Sequence, residues 1–190
     1  SMTIQNTNRR NQPVVNSLVG LELESHRVNP QGGLSPHEYP QGLGDQKKHK
    51  FIKNDFLQTQ SEMITPPVSS SLEALTYLGA YSQALRNALA ADEALWPYSM
   101  PPKLKADHSD IEIAHTDQKS YEYRLRVAKK RKIERTSECG VHVNLGLTDE
   151  DLHELGIKNT VDESDYYLKA AIGIFKDRWL LTYLFGATPY

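Results

Sequence analysis

The 190-residue chain has a single cysteine, Cys139, which excludes an internal disulfide framework. It has no surplus of either charge, since 22 basic residues against 24 acidic ones leave a net −2. Such a balance offers no electrostatic footprint for nucleic acid or for an anionic membrane, so neither is an expected partner. Long apolar runs are missing too. The most apolar stretch, Trp179 to Gly186, is far shorter than the roughly 18 residues that would suggest a membrane span. No charged segment followed by an apolar one marks export, and the expected location is the cytoplasm. With 38% hydrophobic residues and a mean hydropathy of −0.58, what remains is a polar chain long enough to bury one sizeable core.

The first residues carry little that could be buried. Ser1 before Met2 reads as the remnant of a cleaved tag, and residues 1–16, rich in Asn, Gln, Thr and Arg, as a disordered tail. Residues 17–190 read as the folded part. Leu18 to Val28 has strand character and ends in the turn Asn29-Pro30-Gln31-Gly32-Gly33, with a hairpin into Leu34. Residues 35–48 form a loop, and extended segments follow at 51–56 and 61–65 until Pro66-Pro67 stops them. Ser69 to Ser71 offer caps for a helix to about Ala90, with Leu72, Leu75, Leu78, Ser82, Leu85 and Leu89 as its apolar stripe. Gly79 inside that helix predicts close packing against a neighbour.

Further along, Trp96 to Pro102 is a proline-bracketed turn and residues 105–117 a polar loop. A helix over 120–132 carries the basic run Lys129 to Lys132, most simply a solvated face, and a strand follows over 138–147. Thr148 caps a short helix that Gly156 ends, and a last helix runs from about Tyr166 to Phe185. Strands and helices do not alternate strictly, so the fold class is α+β with an antiparallel sheet. Cys139 has no basic partner in sequence and reads as a buried structural thiol.

Three separated segments place oxygen and imidazole ligands at strand spacing: Glu22 with Glu24, Asp55 followed by Glu62, and His142 with Asn144. Side chains alternate faces along a strand, so Glu22 and Glu24 share a face, and so do His142 and Asn144. Neighbouring carboxylates repel unless a cation lies between them. Oxygen ligands with one imidazole suit Mg²⁺ or Mn²⁺. Taken singly, the acids also read as a solvated strand face and His142 as a hydrogen-bonded core histidine.

The surrounding words occur in one order. They are Gly20-Leu21-Glu22-Leu23-Glu24, Leu43-Gly44 with His49, Asp55-Phe56 leading to Glu62-Met63-Ile64-Thr65-Pro66, Trp96-Pro97-Tyr98-Ser99-Met100-Pro101, Gly140-Val141-His142-Val143-Asn144 and Tyr183-Leu184-Phe185-Gly186-Ala187-Thr188-Pro189. In that order they resemble the amino-terminal part of bacterial glutamate–cysteine ligase, including the ligase region of bifunctional glutathione synthases. The resemblance covers roughly Leu18 to Pro189.

The resemblance implies a curved, glutamine-synthetase-like antiparallel sheet with flanking helices, incomplete in a chain of this length. It implies ATP-dependent joining of the glutamate γ-carboxylate to the cysteine amine through a γ-glutamyl phosphate. Glu22 is then similar to a shared metal ligand, with His142 at one cation and Asp55 at another, and Glu24 and Glu62 serve a third. Tyr123 would line the cysteine pocket, Arg124 would face anionic substrate groups as a catalytic residue, and Asn144 would bind glutamate or phosphate oxygen. The family completes its cluster with a carboxylate far downstream that has no counterpart here, so little activity is expected of this chain alone. Two alternatives stand beside this reading. One is a catalytically dead short homologue that self-associates or binds a partner through its apolar last helix, and the other a related ligase with a different amine. Cys139-Gly140 replaces the family's usual Ser-Gly, and Arg131-Lys132 its usual Tyr-Gly.

Overall fold

A computed structural model describes residues 17–186. The amino-terminal stretch expected to be a tail, and Ala187 to Pro189 of the closing motif, lie outside the described residues. The chain divides into two compact units, one of residues 18–146 and one that, among the described residues, comprises Ser17 and residues 147–186.

The larger unit is organised by a long strand, β1 (Ser17–Val28). A five-stranded sheet forms around it with β2 (Ile52–Asn54), β3 (Gln60–Ile64), β4 (Ala94–Leu95) and β5 (Val141–Leu147), in the order β2-β3-β1-β4, with β5 also paired to β1. β3 runs antiparallel to both β1 and β2, and β4 antiparallel to β1. The α+β antiparallel expectation is therefore met.

Register then sorts the side chains by face. Leu23 lies opposite Met63, and Met63 opposite Ile52, which makes one apolar row across three strands. This row meets helix α1 (Ser71–Ala88) through Leu78, Tyr81 and Leu85, with Leu89 just beyond it. Full burial, as of Ile52, Met63 and Leu85, is worth about 1.5–3 kcal/mol per side chain. One residue along, and so on the other face, Glu24 lies opposite Glu62 and Glu62 opposite Lys53. The sheet thus packs one face on α1 and turns a charged row to the other.

The capping of α1 agrees with the sequence, since Ser70 Oγ accepts from the Glu73 N–H. Its core-facing stripe does not. Ala74 and Leu85 are buried, whereas Leu72 and Leu75 are exposed, so the stripe runs 74, 78, 81, 85 and 89. Both stripes have helical spacing and share Leu78, Leu85 and Leu89, which is why the pattern alone chose wrongly at the first turn. Gly79 is exposed with nothing within 4 Å of where a Cβ would stand, so no close packing explains it.

The hairpin after β1 forms as expected, with Val28 bridged to Leu34 and Gly32 at φ 79°, a conformation that suits glycine. Helix α2 spans Gln118–Lys130, capped by Asp117, and a short 3-10 turn follows over Ile133–Ser137. Strand β5 begins three residues later than expected. Residues 136–139 are engaged instead in covering the charged face beyond Glu24: buried His26 Nε2 contacts the Ser137 carbonyl at 2.7 Å, and Gln60 donates to the carbonyls of Thr136 and Glu138.

In the smaller unit Thr148 caps α3 (Asp149–Glu154) and Gly156, at φ 76°, ends it. Asn159 caps α4 (Thr160–Phe175) by accepting from the N–H groups of Val161 and Asp162. The last helix is therefore longer at its start than expected and broken near its end, since Lys176 and Asp177 turn tightly before α5 (Arg178–Phe185). Its apolar side chains, among them Phe175, Trp179, Leu181, Tyr183 and Phe185, are exposed. Among the described residues no helix is long and apolar enough to cross a membrane.

One buried ion pair fixes the end of the sheet. Arg27, fully buried, donates to Glu93 Oε1 at 2.8 Å, to the carbonyls of His37 and Glu38, and to the Gln58 carbonyl in the β2–β3 connection. Glu93 accepts in turn from Ser35 Oγ and the Ala90 N–H. Removing one partner strands a buried charge, which costs far more than the pair is worth. Glu93→Ala is expected to lower unfolding stability by about 3–5 kcal/mol in urea titrations, and a loss below about 1 kcal/mol would contradict this account.

Candidate metal and substrate site

The sheet's charged face gathers the candidate residues from three strands. Glu22 and Glu24 project from β1, Glu62 from β3 opposite Glu24, and Asp55 follows β2, where its N–H donates to the Gln60 carbonyl. Side-chain oxygens of Glu24, Asp55 and Glu62 all lie within 4.8 Å of one another. A six-coordinate Mg²⁺ shell is about 4 Å across, so these three carboxylates are spaced to share an ion after small adjustments.

Strand β5 supplies the next layer. His142 Nδ1 lies 2.9 Å from Glu22 Oε2, and Asn144 Nδ2 donates to Glu22 Oε1 at 2.9 Å. Both oxygens of Glu22 are thereby oriented by two side chains at strand spacing. His142 Nδ1 is also 4.0 Å from Glu24 Oε1. Glu24 Oε2 accepts from the Gly140 N–H at 2.6 Å, while the Gly140 carbonyl accepts from the Glu24 N–H. A Cβ added at Gly140 would stand 2.8 Å from His142 Nε2, so a side chain there would push the imidazole aside. The neighbouring Cys139 is buried and donates its N–H to the Ser99 carbonyl, and burial pushes its thiol up to about 12. That agrees with a structural rather than a nucleophilic thiol.

All five sequence-predicted ligands converge on one sheet face. Within that face Asp55 lies with Glu24 and Glu62, and Glu22 with His142 and Asn144. Arg124 on α2 is held by the Ala114 carbonyl at 2.9 Å and Thr116 Oγ1 at 3.0 Å. It lines a cleft of about 440 Å³ together with Asp55, Glu62, Lys53, Lys47 and Gln46. Tyr123, by contrast, is exposed on α2. Sequence reasoning missed Lys53. It stands two residues before Asp55 and shares a face with Glu62, a signal visible only once the register of β2 against β3 is known.

Electrostatics records the crowding. Burial pushes the Glu62 carboxyl up to about 7, with repulsion from Asp55, Glu22 and Glu24 adding to it. Glu24 is raised as well, chiefly by burial, against the lowering effect of the Gly140 N–H. The hydrogen bond to Glu22 raises His142. A site that is half-desolvated, rich in carboxylates and edged by one imidazole has the donor set of a hard divalent cation.

Comparison with known proteins identifies the family. The glutamate-cysteine ligase family model matches residues 2–190. The chain belongs to that family. Among its relatives, the glutathione biosynthesis bifunctional protein of Streptococcus thermophilus is 37% identical over 184 residues, covering 93% of this chain and 24% of the relative. The corresponding protein of Streptococcus agalactiae is 38% identical over the same length. Among solved structures, the glutamate–cysteine ligase of Francisella tularensis in complex with AMP superposes with a TM-score of 0.82 at 29% identity, covering 93% of this chain and 36% of that one. A bifunctional glutathione synthetase from Pasteurella multocida gives 0.81 at 29% identity, covering 92% and 24%. The chain thus spans about a quarter of the length of the curated relatives it matches.

The raised carboxyls set a sign for pH dependence. Glu62 holds its proton more tightly folded than unfolded, so its contribution to stability is full below its ordinary 4.5 and is lost as pH rises through about 7. A divalent cation bound at the site would take the proton's place. Without Mg²⁺ the urea midpoint is expected to fall between pH ~5 and pH ~8, and saturating Mg²⁺ should raise it mainly at the higher pH. Equal Mg²⁺ effects at both would contradict the site.

Proposed function

We propose that this chain carries the cation-binding half of a glutamate–cysteine ligase site, which takes part in the first step of glutathione biosynthesis. The observation that supports this most is the convergence of Glu22, Glu24, Asp55, Glu62 and His142 on one sheet face, in a chain of that family. Forming an amide in water needs an activated carboxylate. ATP supplies the activation: a glutamate γ-carboxylate oxygen attacks the γ-phosphorus and ADP leaves. The cysteine amine then attacks the acyl carbon, phosphate departs, and the nitrogen loses a proton.

Phosphoryl transfer depends chiefly on positioning and on neutralising charge at phosphate oxygens, and bound Mg²⁺ or Mn²⁺ would supply that neutralisation. The chain's own residues do the rest. Glu24, Asp55 and Glu62 would hold one ion, and Glu22, oriented by His142 and Asn144, would hold another. Arg124, fixed by Ala114 and Thr116, would meet anionic substrate oxygens across the cleft, and Tyr123 would flank the cysteine. A bound adenine nucleotide in the Francisella enzyme supports ATP as the phosphoryl donor. We read the chain alone as binding cations weakly and turning over little, and place it in the cytoplasm, in keeping with its single buried thiol. The exposed apolar faces of α4 and α5 support a second reading, self-association through these helices.

In a full-length polypeptide carrying this sequence, Glu22→Ala is expected to cut ADP release with glutamate and cysteine by roughly a hundredfold or more. A loss of tenfold or less would overturn the assignment.

A further inference from the structure

Lys53 is a cation within the sheet that the metal-binding reading leaves without a task. Alternation along β2 turns Ile52 and Asn54 to the buried face and Lys53 to the charged one, directly opposite Glu62. A lysine across from a glutamate ordinarily pairs with it. Here, among the described residues, Lys53 forms no ion pair, although it is half-buried and lines the same cleft as Asp55, Glu62 and Arg124. Glu62 lies instead among carboxylates, its side chain within 4.8 Å of those of Glu24 and Asp55. The cleft therefore mixes the carboxylates of Asp55, Glu62 and Asp117 with the cations Lys47, Lys53 and Arg124; Arg124 interacts with all three carboxylates, whereas Lys53 has no ion pair among the described residues.

We propose that Lys53 is an anion-positioning residue of this site, its ammonium holding an oxyanion of a substrate whose other oxygens lie against the divalent cations. This rests on the metal-binding reading above. The shared chemistry is a multiply charged oxygen cluster, as in the polyphosphate end of a nucleotide or the carboxylates of an amino acid. An ammonium is a compact point charge with rotatable donors and suits either. A guanidinium fixed as Arg124 is sets direction, whereas Lys53 on its flexible stem follows the oxygen as it moves. A lysine that served only as Glu62's counter-ion would instead compete with the cation, and its removal would tighten metal binding while leaving anions unaffected.

Calorimetry on the 190-residue chain separates these cases. Mg²⁺ is titrated first, and tripolyphosphate or glutamate is then added to the Mg²⁺-saturated protein. Lys53→Met is expected to leave Mg²⁺ affinity equal or slightly tighter and to weaken one of the two anions about tenfold, with Lys53→Arg keeping at least a third of the wild-type affinity. Weakening of tripolyphosphate alone assigns Lys53 to the phosphates, and of glutamate alone to the amino acid. Unchanged binding of both anions, or no anion binding by a wild-type chain that takes up Mg²⁺, overturns the role of Lys53 while the cation site stands. A wild-type chain that does not bind Mg²⁺ fails the underlying reading instead.

Discussion

The pairing of Glu24 with Glu62 across β1 and β3 is the constraint on which the rest of this molecule turns. Two carboxylates set directly opposite on antiparallel strands destabilise the sheet that holds them, and Asp55 adds a third charge to the same spot. The fold keeps the arrangement because its other face is strong. Leu23, Met63 and Ile52 form a row against α1, and a slip of register by one residue would carry that row to the charged side. Hydrophobic burial on one face therefore enforces repulsion on the other, which a divalent cation bound there would relieve.

Around this core the structure orients the candidate ligands rather than merely gathering them. Glu22 is held by His142 and Asn144, and Glu24 by the Gly140 N–H, so β5 acts as a positioning strand for β1. The Arg27–Glu93 pair ties the β2–β3 connection to two other loops and so steadies the segment between Asp55 and Glu62. Holding first ligands through a surrounding set of hydrogen bonds is how metal sites gain affinity and geometry together.

Much of this could be read in the sequence because it follows period two. Glu22 with Glu24, and His142 with Asn144, share faces by alternation alone, and the order of motifs brought Asp55 and Glu62 to them. What was hidden depends on partners far along the chain. Lys53 joins the site only through the register of β2 on β3, and the late start of β5 follows from the hydrogen bonds that residues 136–139 make to Gln60 and His26. The first turn of α1 was misread because Ala74 and the leucines at 72 and 75 fit equally regular stripes, and only packing chooses between them. The break at Lys176 and Asp177 had no proline or glycine at that point to announce it.

The most direct measurement is a crystal structure of the chain grown with Mn²⁺, read by anomalous scattering. Peaks are expected between Glu24, Asp55 and Glu62 and beside Glu22, with carboxylate oxygens at about 2.0–2.2 Å. An intact sheet whose carboxylates remain without manganese, while the ion binds elsewhere or nowhere, would contradict the account.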